Sequence, residues 1–218
     1  MDCLEIDNIE LNFGATEILK AIYFKAEKGK ITAILGSNGS GKTSLLRIIF
    51  GELQPKNKLL RIDHKPILNP LYKKGVIKYL PQFHIKPENI SLQNGFNFFN
   101  ASFDDFLIDF PHFKSQKHHY FSEFSGGEKR LIETYIILKS DAKIVLFDEP
   151  FSHLAPLYIK KLKDLLEIEK QHKIIIITDH LYKDIIDISD ALYLLKDGWS
   201  RLLKSPEELI QHNYINAL

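Results

Sequence analysis

Residues 36–43 read Gly-Ser-Asn-Gly-Ser-Gly-Lys-Thr. Two glycines with four residues between them, followed by Lys and a hydroxyl residue, make a loop able to cradle phosphate. Small residues let the backbone wrap an anion with its N–H groups, and a helix starting behind them adds a favourable dipole. Gly36, Ser37, Asn38, Gly39, Ser40, Gly41 and Ser44 would form the cradle. Lys42 would reach the terminal phosphates and the Thr43 hydroxyl would ligate Mg²⁺. A second reactive pair, Asp148-Glu149, ends the apolar run of residues 143–147. Asp148 would hold Mg²⁺, often through water, and Glu149 would polarise the attacking water as general base. Alone, such a pair is a solvated strand end; beside a phosphate loop it has chemistry to perform.

These groups need a scaffold that brings them together. Residues 30–35 read as a buried strand and 43–50 as a helix, so the loop sits between strand and helix. Residues 129–139 read as a helix feeding the strand that ends in Asp148. Ligands of open α/β sheets bind at the carboxyl ends of the strands, where both motifs fall. Residues 4–12 and 17–26 look like antiparallel strands of an N-terminal sheet, which 59–62 and 76–80 continue. From about 84 to 140 the spacing becomes helical, with Phe96, Phe98, Phe99, Phe103, Phe106, Leu107 and Phe110 prominent. That cluster is either core or, where exposed, a docking surface. Helix is expected at 155–170, with Lys160, Lys161 and Lys163 on its wet face, and at 181–188. Strands are expected at 173–178, 191–195 and 199–203. Ser205-Pro206-Glu207-Glu208 has the pattern of a further helix start.

Composition narrows the function classes. The chain has 218 residues, 44% of them apolar, enough for a sizeable core. With 29 basic and 28 acidic residues it has a net charge of +1. No basic stripe suggests nucleic acid. A single cysteine, Cys3, excludes an internal disulfide framework and a cysteine-rich zinc site, and fits a reducing compartment. The acidic N-terminus lacks the plan of a secretion signal. No apolar run approaches the ~20 residues that span a bilayer. A cytosolic location is expected, with any membrane role exercised through a partner.

Further motifs fall in one order. Phe124-Ser125-Gly126-Gly127-Glu128 lies between the phosphate loop and Asp148, Leu80-Pro81-Gln82 precedes it, and Thr178-Asp179-His180 follows the acid pair. With these, essentially the whole chain resembles the ATP-binding cassette (ABC) ATPases. The resemblance implies an α/β fold with the three-layer core of phosphate-loop NTPases, an N-terminal antiparallel β subdomain and a helical subdomain at about 86–140. Residues 1–218 would then form a single ATP-binding domain. Ser125, Gly126, Gly127 and Glu128 resemble the family's signature motif, with Ser125 and Gly127 contacting the γ-phosphate of an ATP bound to a second cassette. Gln82 would touch Mg²⁺ and the attacking water, His180 the γ-phosphate, and Phe13 would stack on adenine.

The resemblance further implies a dimer, with itself or a homologous cassette, closing around two ATP molecules. It would drive a separate transmembrane permease from the cytoplasmic face of the membrane. The alternative is a soluble ABC ATPase acting on nucleic acid or ribosomes, although the long coiled-coil or zinc insertions and the second cassette of such members are absent. One position departs from the family. Ala155 stands where an Asp usually couples the two ATP sites, so turnover or coupling would be altered, or Ser152 or His153 would compensate. A weakly active or regulatory cassette is the third reading.

Overall fold

The computed structural model describes residues 1–84, 89–212 and 214–215. Strands β1 (Cys3–Phe13) and β2 (Thr16–Glu27) form an antiparallel hairpin. Their alternating burial turns Leu4, Ile6, Ile22, Phe24 and Ala26 inward. Strand β3 (Ile31–Leu35) then enters a second sheet and is buried throughout. The chain turns through the glycine-rich loop into helix α1 (Lys42–Phe50), which ends at Gly51 in the left-handed conformation. Strands β4 (Asn57–Ile62) and β5 (Lys65–Pro66) extend the antiparallel sheet to the order β2-β1-β4-β5. Strand β6 (Ile77–Leu80) instead pairs in parallel with β7 (Ile144–Asp148). The two segments expected to continue one sheet therefore part, β4 going to the antiparallel sheet and β6 to the edge of the parallel one.

Between β6 and β7 the described chain is helical: α2 (Leu92–Phe98), α3 (Phe103–Asp109), short 3₁₀ turns, and α4 (Gly126–Lys139). The expected start of a helical insert at residue 86 lies outside the described residues. Phe96, Phe106 and Phe110 are buried and pack with Tyr135 of α4, and the buried Phe103 packs on Phe96 and Phe106. The aromatic cluster is therefore core. Phe98, 74% exposed, is the ring that points away from it.

After β7 come α5 (Pro156–Glu169), β8 (Ile174–Thr178), α6 (Tyr182–Ile188), β9 (Ala191–Lys196), β10 (Trp199–Leu203) and α7 (Glu208–Gln211). Two expectations shift. Lys163 is not on a wet face but ion-paired with Asp184 and Asp187 of α6 at 2.8 and 2.9 Å. The helix expected from Ser205 is a turn followed by the four residues of α7, because Glu208 and Leu209 N–H bond three residues back to Ser205 and Pro206.

The second sheet has the order β10-β9-β3-β8-β7-β6, parallel except for β10. Its central strands are apolar on both faces, as a covered parallel sheet requires. Ile174 and Ile176 meet α1 and the antiparallel sheet on one side; Ile175 and Ile177 meet α4, α5 and α6 on the other. These three layers align the carboxyl ends of β3, β6, β7 and β8, where the sequence motifs lie. Among the described residues no helix is long and apolar enough to cross a membrane.

Candidate functional site

The glycine-rich loop leaves β3 at Gly36, and no larger residue fits there. A Cβ would stand 2.5 Å from Ser40 Oγ and 2.6 Å from the Leu195 carbonyl oxygen. Lys42, at the start of α1, is buried. Its ammonium donates to the Gly36 carbonyl at 2.6 Å and the Ser37 carbonyl at 3.1 Å. Burial pushes its pKa down, and the carboxylates of Glu149, Asp148 and Asp179 oppose that shift. Asn38, Gly39, Gly41, Thr43 and Ser44 line a cleft of ≈ 700 Å³, within the range of small-molecule sites. Phe13, 53% exposed, and Ile18 form its apolar wall, while Gln82, Glu149 and His180 stand at its polar end.

Beneath the cleft lies Asp148, the last residue of β7, 1% exposed. Its carboxylate accepts from three hydroxyls: Thr43 at 2.7 Å, Thr178 at 2.7 Å and Tyr79 at 3.2 Å. Burial, reinforced by Asp148, pushes the Tyr79 phenol well above its ordinary pKa, so it stays a donor. The thirty-residue separation of Asp148 and Thr178 closes because β7 and β8 pair in parallel with these two opposite each other.

Glu149 follows in a left-handed backbone conformation, φ 55°, uncommon for a residue with a side chain. Its N–H donates to the Thr178 carbonyl at 2.7 Å. Arg130 of α4, 2% exposed, donates to the Glu149 carbonyl at 2.9 and 3.1 Å, to the Pro81 carbonyl at 2.7 Å, and to the Asp148 carbonyl. This guanidinium ties the chain before Gln82 to the acid pair. The Glu149 carboxylate receives Gln82 Nε2 at 3.0 Å, Ser152 Oγ at 3.4 Å and His180 Nδ1 at 3.5 Å. Asp179 is fully buried and accepts from the Phe151 and Leu181 N–H groups at 3.0 Å each. Burial raises its pKa.

The signature element lies elsewhere. Ser125, Gly126, Gly127 and Glu128 do not line the cleft. Ser125 caps α4: its Oγ accepts from the Glu128 N–H at 3.3 Å, and Glu128 Oε2 accepts from Ser125 N–H at 2.8 Å and Oγ at 2.7 Å. The His153 carbonyl approaches to 2.7 Å of where a Cβ on Gly127 would be. Ala155 occupies the N-cap position of α5, just outside the helix, and offers no side-chain acceptor to its first turn.

Arg130, Tyr79 and Ile18 join the site although no motif marked them for it, and Thr178, read only as part of the Thr178-Asp179-His180 motif, joins it as a donor to Asp148. Arg130 had a faint signal, a cation followed at once by the apolar run of α4. Tyr79 and Ile18 had none that a strand pattern would distinguish.

The sequence pattern of the ABC transporter family matches residues 19–152, more than half of the chain. The arabinose import ATP-binding protein AraG of Mannheimia succiniciproducens is 30% identical over 214 residues, covering 89% of this chain and 42% of that protein. The energy-coupling factor transporter ATP-binding protein EcfA2 of Staphylococcus saprophyticus is 30% identical over 222 residues, covering 92% of this chain and 77% of that protein. A solved ATP-binding subunit of an ABC transporter superposes with a TM-score of 0.82 at 19% identity, covering 98% of this chain and 95% of the other, a likeness of fold. The chain belongs to the ABC transporter family. It spans less than half the length of the sugar-import relatives it matches.

Proposed function

We propose that this chain is the ATP-binding and ATP-hydrolysing subunit of a transporter whose membrane-spanning permease is a separate polypeptide. One observation carries the reading: a single cleft gathers Lys42, Thr43, Gln82, Glu149 and His180 above the buried Asp148. Adenine would lie against Phe13 and Ile18, and the phosphates across the N–H groups of residues 38–44. Thr43 Oγ, the Asp148 carboxylate and the Gln82 amide oxygen form a set of hard oxygen donors, which suits Mg²⁺. Bound there, Mg²⁺ would neutralise charge building on the transferred phosphoryl group. Glu149 would take the proton of the attacking water, with Gln82 and Ser152 orienting its carboxylate. Lys42 and His180 would spread the charge of the γ-phosphate.

Ser125 and Gly127 would contact a γ-phosphate held by a second cassette, so each chain carries two half-sites. ATP would draw the pair together, and hydrolysis would release it. That cycle would move a permease seated at the cytoplasmic face of the membrane. An open groove of ≈ 490 Å³ lined by Phe50, Tyr72, Tyr79, Pro81 and Phe99, beside Gln82, is the surface we assign to that partner.

The test is the oligomeric state of Glu149→Gln by light scattering. We expect a monomer alone and a dimer with Mg-ATP. A monomer that holds ATP without pairing would overturn the two-half-site reading.

A further inference from the structure

The last described residues reach back to the phosphate loop. Leu209 of α7 is fully buried, and the Tyr214 N–H donates to its carbonyl at 2.9 Å. Lys196 Nζ donates to the His212 carbonyl at 2.7 Å, and Arg201 Nη1 meets His212 Nε2 at 3.1 Å. Tyr214 and Ile215 pack on the core beneath the helices. So fastened, the Tyr214 hydroxyl donates to the Gly36 carbonyl at 3.2 Å, across 178 residues of sequence. The same carbonyl accepts Lys42 Nζ at 2.6 Å.

That shared acceptor has a consequence for ligand binding. An ammonium has three N–H donors, and here two are engaged by Gly36 and Ser37. The third is free for one phosphate oxygen; bridging two phosphates draws a further donor from Gly36 or Ser37, and Gly36 is buried. A buried carbonyl left without a donor costs free energy. The Tyr214 hydroxyl is a second donor to that carbonyl, independent of Lys42. Burial raises its pKa, so it is a donor at neutral pH.

We propose that Tyr214 is a positioning residue of the phosphate loop, holding the Gly36 carbonyl so that Lys42 is free to engage the phosphates of the nucleotide. Tyr214 docking and nucleotide binding then favour each other, reciprocally. The inference rests on the nucleotide reading of the cleft.

The experiment compares the 218-residue chain with Tyr214→Phe, which keeps the ring and removes the donor. Mg-ATP affinity is measured by titration calorimetry, and the melting temperature without nucleotide is measured in both the native and Lys42→Ala backgrounds. We expect Tyr214→Phe to weaken Mg-ATP binding by roughly threefold to tenfold. Its melting temperature should fall little in the native background, where Lys42 still holds Gly36. In Lys42→Ala the same change should lower it by roughly 2–4 °C more. Unchanged affinity, or equal losses of melting temperature in the two backgrounds, overturns the proposal. If the unmodified chain binds no Mg-ATP, the nucleotide reading fails instead, and the two-background comparison still decides whether Tyr214 and Lys42 share the carbonyl.

Discussion

The cleft around Lys42 and the signature element around Ser125 are built on opposite plans. The first is concave and already assembled: separate strand ends and loops deliver Lys42, Thr43, Gln82, Glu149 and His180 to one cavity, and every oxygen of Asp148 has a donor. The second is the exposed end of one helix, and its serine hydroxyl is satisfied within its own capping box. On the proposed reading, the cleft holds the nucleotide and the signature element meets one held by a second cassette. Two kinds of half-site on one chain make sense if two copies face each other.

Substitutions in the two regions should therefore fail differently. Glu149→Gln removes the carboxylate proposed as general base while keeping a side chain of the same shape. Turnover should drop by about 10²–10⁴-fold with ATP affinity retained, read by phosphate release; normal turnover would sink the base assignment. Lys42→Ala removes a buried, charge-assisted donor, so affinity should fall by roughly tenfold to a hundredfold in the isolated chain. Affinity equal to that of the unmodified chain would mean that Lys42 does not reach the phosphates. Ser125→Ala acts on the other region. It should cost about 1 kcal/mol of stability through the lost helix cap and leave ATP binding to the single chain unchanged. A matching loss of affinity in the monomer would erase the contrast between the two regions.

Much of the cleft is legible in the amino-acid sequence. The glycine-rich loop and the Asp-Glu pair each sit at the end of an apolar run, Gln82 and His180 are legible only through the family resemblance, and the parallel sheet brings all of them together. The loop and the acid pair are visible because a buried parallel strand is a near-continuous apolar stretch and its end is abrupt. The separation of β4 and β6 into two sheets is hidden, since both are short half-apolar runs and register depends on partners. The aromatic insert is ambiguous for a related reason. Helical spacing shows that Phe96 and Phe106 lie in one aromatic cluster, but not whether that cluster is covered; Tyr135 of α4 covers it. Lys163 reads as solvated, and only the approach of α6 supplies its two carboxylates.

By itself, the sequence determined the local chemistry: a loop whose residues admit a phosphate, acids at a strand end, a capped helix at Ser125. Those depend on neighbours a few residues apart, where steric and capping preferences act directly. The tertiary structure decided the rest. Arg130 closing on three carbonyls, three hydroxyls on Asp148, and Tyr214 on Gly36 join residues 18 to 178 positions apart. Each places a donor on a polar group that burial withdraws from water. That demand arises only once the layers close and water is excluded.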